Sequence, residues 1–146
     1  MKPFVAILAA LLLVAAAPSP SLAAGKPAAH KMQHYKVVMQ VSDADPVKWN
    51  LALNNAENVQ QALGKGNVTI EIVAYGPGIG MLKSDSKVAD RLAQALDNSV
   101  VLDACEVTMH KQKLEKSDMY GGVAFVPAGV VHIMQRQREG WQYIRP

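Results

Sequence analysis

Cysteine is nearly missing from this chain: Cys105 stands alone among 146 residues. One cysteine cannot close an intramolecular disulfide, so no covalent framework holds the fold. Its thiol is left as a buried filler, a reactive group or a bridge to another chain. Phenylalanine is almost as scarce, with Phe125 the only one beyond Phe4. Nucleic-acid recognition usually needs a basic stripe interleaved with stacking aromatics. Here the charges alternate in sign, and that class drops out. After the first two dozen residues there is no run of about 18 apolar residues, the length needed to span a bilayer. Internal repeats and low-complexity tracts are missing too.

What is there begins with an export pattern. Lys2 is followed by an apolar run over residues 4–17, then by a proline break and small residues through Ala24. That is the layout of a secretory signal peptide, residues 1–23, cleaved after Ala23 with Ser21 and Ala23 in the small positions. A retained N-terminal anchor is the alternative. No cysteine lies near the cleavage region to carry a lipid. Cleavage places the protein in the periplasm or outside the cell, with no membrane contact afterwards. Taking 23 residues from 146 leaves 123, near the usual size of one domain. Removing Lys2 from the 15 basic residues leaves 14 against 12 acidic ones, a net charge of +2 that says little about partners.

Residues 24–33 are small, polar and proline-containing, and read as a flexible leader. Residues 34–146 read as one α/β domain. Strands are expected over 34–41, 67–75, 100–105, 121–127 and 141–144. Between them fall four helical segments. Asp45 can cap the first and Pro46 can open it without losing a hydrogen bond. It runs to about Leu63 and ends at Gly64. Ser84 or Ser86 opens the second, through Asp97. Thr108 opens a short third, through Lys116, and residues 130–138 form the fourth, with Val131, Met134 and Val130 turned inward. Central strands that are apolar on both faces imply a three-layer α/β/α fold around a mainly parallel five-stranded sheet.

Loops leaving the carboxyl ends of parallel strands form the usual crevice. Residues 42–46, 75–80 and 104–108 converge there. Cys105 ends a strand just ahead of a helix start, a position that favours a thiolate. Glu106 opposes it by like-charge repulsion, and an inert buried thiol is as common an outcome for cysteine. The glycine-rich segment 75–80 (YGPGIG) has neither the Walker A nor the dinucleotide spacing. It reads as a tight turn shaping the crevice, with backbone amides to offer. Cys105, His110, His132 and the methionines show no metal-motif spacing, so neither a metal nor another cofactor is expected. A hydrolytic triad would also need an oriented acid.

Residues 36–43 (KVVMQVSD), 49–55 (WNLALNN), 71–78 (EIVAYGPG), the pair Ala104 and Cys105, 126–131 (VPAGVV) and 140–146 (GWQYIRP) resemble, in order and spacing, the small exported branch of the DsrE/DsrF-like sulfur-relay family. The resemblance covers about residues 35–146. It implies a three-layer α/β domain assembled as a homo-oligomer, a trimer or hexamer. It also implies that Cys105 accepts sulfur as a persulfide and passes it on, its partners being a thiol or sulfane-sulfur donor and an acceptor thiol. Trp49, Asn50, Tyr75, Gly76, Gly78, Glu106 and Thr108 would line the crevice or a subunit contact. The function expected is that of a sulfur carrier or sulfurtransferase-like protein. The alternative is a noncatalytic small-molecule or protein-binding module in which Cys105 stays inert and buried.

Overall fold

The computed structural model describes residues 34–146. The signal peptide and leader read from residues 1–33 lie outside the described residues. Five strands form one sheet: β1 (Tyr35–Val41), β2 (Val68–Ala74), β3 (Val101–Cys105), β4 (Ala124–Val126) and β5 (Gln142–Ile144). Their order across the sheet is β4-β3-β2-β1-β5, and every neighbouring pair is parallel. Among the described residues the four α-helices are α1 (Pro46–Leu63), α2 (Ala89–Asp97), α3 (Glu106–Gln112) and α4 (Gly129–Arg138). The three-layer α/β/α expectation therefore holds.

Local chemistry accounts for the first crossover. The Val47 amide donates to Asp45 Oδ1 at 2.9 Å, and Pro46 occupies the first turn, where its missing N–H costs nothing. Gly64 stops α1 with φ of 85°, a conformation that favours glycine. One sheet face presents Val37, Met39, Ile70, Ile72, Leu102 and Ala104 to the larger core, which includes Trp49, Leu53 and Leu92 from α1 and α2. The other face is covered by α4. Its smaller core joins Val38, Val73, Val126 and Ile133.

The readings of three helices need correction. The helix after the thiol begins at Glu106, not at Thr108, so Cys105 itself is the capping residue. The Val107 amide, held by the carbonyl of Pro127 at 3.2 Å, draws the chain into its first turn directly off the strand. That helix also ends early, at Lys113 with φ of 56°. In α4, Val130, Val131 and Met134 face outward and are exposed. The inward stripe is Gly129, His132, Ile133 and Arg136, which keeps helical spacing but carries two basic residues. Those two are accepted inside because the strands below supply acids. The second helix, too, starts at Ala89 after turns, with Ser86 Oγ accepting only from the Val88 amide. Among the described residues, no helix is long and apolar enough to cross a membrane.

Candidate functional site

The carboxyl end of β3 lies between β2 and β4, with α4 above it. Period-two alternation puts Leu102 and Ala104 in the larger core and sends Asp103 and Cys105 to the α4 face. Cys105 is 5% exposed and makes no disulfide. The amide of Gly129, the first residue of α4, donates to its sulfur at 3.2 Å. A side chain there would crowd that approach. A Cβ built on Gly129 would lie 3.2 Å from Tyr75 Cβ, 3.2 Å from Val73 Cγ1 and 3.3 Å from Cys105 Cβ.

Thr108 supplies a second donor. Its Oγ1 accepts the amide of Gly76 at 2.9 Å, which leaves its own hydroxyl proton free to donate. Burial raises the pKa of the Cys105 thiol. The Thr108 hydroxyl and the amides of Gly129, Thr108 and Val107 outweigh that burial and hold the thiol below its ordinary value. Glu106 does not take part: its Oε1 pairs with Lys116 Nζ at 3.2 Å, and Lys116 lies over the Phe125 ring.

Of the residues expected in the crevice, the fold thus gathers Cys105, Tyr75, Gly76 and Thr108. Burial and the nearby Tyr143 raise the pKa of the Tyr75 phenol, which keeps it a proton donor. Tyr75 also borders a small hollow of about 180 Å³ between α4 and the strands, lined by Gln40, Val130, Ile133, Met134 and Tyr143. Gly78 acts one step removed: its Cα packs on β1, and an added Cβ would fall 2.3 Å from the carbonyl oxygen of Val41. Glu106 lines a separate hollow with His110 and Leu114. Trp49 and Asn50 sit elsewhere. Trp49 is in the larger core, its Nε1–H donating to the Asp43 carbonyl at 2.7 Å. Asn50 faces α2, where its Oδ1 accepts from Arg91 at 2.9 Å.

No family model matches the chain, and no curated protein matches it. Among solved structures, the protein of unknown function MTH1491 from Methanobacterium thermoautotrophicum is 35% identical, with a TM-score of 0.74, over 77% of this chain and 99% of that one. This chain belongs to the family of MTH1491. The conserved protein of unknown function BT1422 from Bacteroides thetaiotaomicron is 13% identical, with a TM-score of 0.62, over 76% of this chain and 94% of that one. At that identity the likeness is one of fold.

Beside the thiol, this member of the MTH1491 family carries a polar cluster that the sequence reading did not assemble. Glu71 on β2 and Asp103 on β3 are both buried. His132 Nε2 lies 2.9 Å from Glu71 Oε2 and 3.8 Å from Asp103 Oδ2. Arg136 Nε donates to the same Glu71 oxygen at 2.8 Å, while its guanidinium stacks on Trp141, 4.8 Å from the ring centre. Burial, then the charge of Glu71, pushes the Asp103 carboxyl up to about 6 against the pull of His132 and Arg136. One signal could have found the cluster: an acid in the apolar run of each of two strands, matched by two basic residues four apart in α4.

Proposed function

We propose that this chain is an exported sulfur carrier of the DsrE/DsrF-like kind, working in the periplasm or outside the cell with Cys105 as the sulfur-bearing residue. The observation that carries this reading is the Gly129 amide donating to the buried Cys105 sulfur at 3.2 Å. That amide, with the pull that holds the thiol below its ordinary value, stabilises an anion on the sulfur, and a thiolate is the form that attacks. In the first step the Cys105 thiolate attacks the sulfane sulfur of a persulfide donor. A sulfur–sulfur bond forms to Cys105, the donor's own bond to that sulfur breaks, and the donor leaves as a thiolate. In the second step an acceptor thiolate attacks the terminal sulfur, takes it, and releases the Cys105 thiolate. No electrons are gained or lost overall, and each step is ordinary thiol exchange.

The same donors that stabilise the thiolate would stabilise the persulfide anion. The burial of Cys105 shields that species from stray oxidants and requires the 75–80 segment or the start of α4 to part for each transfer. Exposed Val130, Val131 and Met134 on α4 supply an apolar face for assembly of the homo-oligomer, trimer or hexamer, that the resemblance implies. A second reading is favoured by one observation, the 5% exposure of Cys105: a binding module with an inert thiol, using the hollow beside Tyr75.

Mass spectrometry after exposure to polysulfide separates the two. A gain of one sulfur atom by the folded protein, lost in Cys105→Ser, supports the carrier. A thiol that neither gains sulfur nor alkylates until the protein is denatured overturns it in favour of the binding module.

A further inference from the structure

We propose that Glu71, Asp103 and His132 form a binding site for a first-row divalent cation of the zinc class. Their ligand atoms, one from each residue, lie within 4.8 Å of one another, on strands and a helix that the packed sheet holds in register. The cluster as it stands is incomplete. Asp103 is 3% exposed, yet its Oδ2 is fully buried and has no hydrogen-bond partner. Such a group inside a protein calls for an explanation. His132 Nε2 is 3.8 Å away, too far for a hydrogen bond. His132 and Arg136 are both committed to Glu71 Oε2. The side of the cluster facing Asp103 therefore has an acceptor and no donor.

A cation set among the three atoms supplies what is missing. Zinc bonds to nitrogen and carboxylate oxygen run to about 2.0–2.2 Å, so two ligands of one ion sit roughly 3–3.5 Å apart. The gaps of 2.9 Å and 3.8 Å around His132 Nε2 bracket that spacing. Binding requires the proton now shared between His132 and Glu71 to leave, as it does whenever imidazole becomes a ligand. Arg136 stays on Glu71 as the neighbour that orients the ligating carboxylate, a common arrangement around metal centres. An imidazole beside two carboxylates suits zinc better than magnesium or calcium, which prefer oxygen alone. His132 and Arg136 are both partly exposed, so an ion can enter between them. The site is independent of sulfur on Cys105 and stands whichever reading of the thiol holds.

The test is titration of the untagged, metal-stripped chain with zinc by calorimetry, with X-ray absorption at the zinc edge on the loaded protein. The expected result is one equivalent bound, a first shell of nitrogen and oxygen without sulfur, and a rise in melting temperature on loading. Binding is lost in His132→Ala and in Asp103→Asn and kept in Cys105→Ser and His110→Ala. Circular dichroism checks that each variant is folded, and His132→Gln replaces His132→Ala if that one is not. Failure of the wild-type protein to bind, sulfur in the first shell, or binding that survives loss of both His132 and Asp103 overturns the proposal. The absorption measurement needs no variant, so it decides even if every substitution unfolds the chain.

Discussion

The amide of Gly129 donates to the sulfur of Cys105 at 3.2 Å, although 24 residues separate the two in the chain. The contact exists because α4 starts on the sheet with no side chain beneath its first turn. Two of the three atoms that an added methyl would press are Cβ atoms, and the third is the branch of a valine, so none can rotate away. Gly129→Ala should lift the helix start by a few tenths of an ångström, lower stability by about 1–3 kcal/mol, and slow alkylation of Cys105 in the folded protein. Thiol-labelling rates and denaturant melts on the same samples measure both.

Thr108 Oγ1 accepts the Gly76 amide, and its hydroxyl helps to hold the Cys105 thiol below its ordinary value. Reaction of the thiol should rise with pH as the thiolate forms, with its midpoint below the ordinary cysteine range. Thr108→Val removes the hydroxyl donor and should shift that midpoint upward, slowing labelling at neutral pH by about tenfold, the effect of one hydrogen bond to a charged group. It also leaves the Gly76 amide without its acceptor, at a further loss of about 1–3 kcal/mol of stability. Thr108→Ser should restore the midpoint. A pH series of labelling rates on the three proteins is the measurement.

Glu106 is adjacent to Cys105 in sequence, but its carboxylate is spent on Lys116. Glu106→Gln should therefore leave the labelling rate within a factor of about two of wild type, and stability within about 1 kcal/mol, as for other surface ion pairs.

Asp103 gives a stability prediction whose sign can be worked out. Its carboxyl is raised to about 6 in the folded state from an ordinary value of 3.8. Between those values the native state holds more protons than the unfolded chain, so its contribution to stability falls as pH rises through that window. The penalty is complete above the folded value. In the presence of a chelator, Asp103→Asn should stabilise the protein at about pH 7 by on the order of 1–2 kcal/mol. The gain should fade toward about pH 4. Thermal melts across that range follow it.

Gly78 and Gly66 form a contrasting pair. A methyl on Gly78 meets the Val41 backbone at 2.3 Å, whereas one on Gly66 meets nothing within 4 Å. Gly78→Ala should unfold the protein or lower its stability by more than about 3 kcal/mol, in the class of severe steric changes. Gly66→Ala should be neutral or stabilising by up to about 1 kcal/mol, through the unfolded chain. Urea melts distinguish the two outcomes.

Much of the frame was legible in advance because it rests on local chemistry. Asp45 and Pro46 mark a helix start in any context, and β-branched runs alternating with helical spacing imply strands in parallel. The same alternation put residues 75–80 and Cys105 at one edge of the sheet. The misread register of α4 has a different origin. Apolar periodicity picks the inward face of a helix only when that face is apolar, and here Val130, Val131 and Met134 are exposed while His132 and Arg136 turn toward the sheet. Trp49 likewise fits the larger core and the crevice equally well by spacing; only packing assigns it to the core.

The sequence by itself determined the order of strands and helices, the solitary thiol and its place at a strand end, since each depends on residues close together in the chain. Tertiary structure alone decided the thiol's surroundings. The donors from Gly129 and Thr108 and the deflection of Glu106 toward Lys116 follow from where α3 and α4 dock on the sheet. So does the union of Glu71 and Asp103 with His132, 61 residues from Glu71. Charge and hydrogen bonding act over a few ångströms in space, and the chain brings those partners within range only by folding.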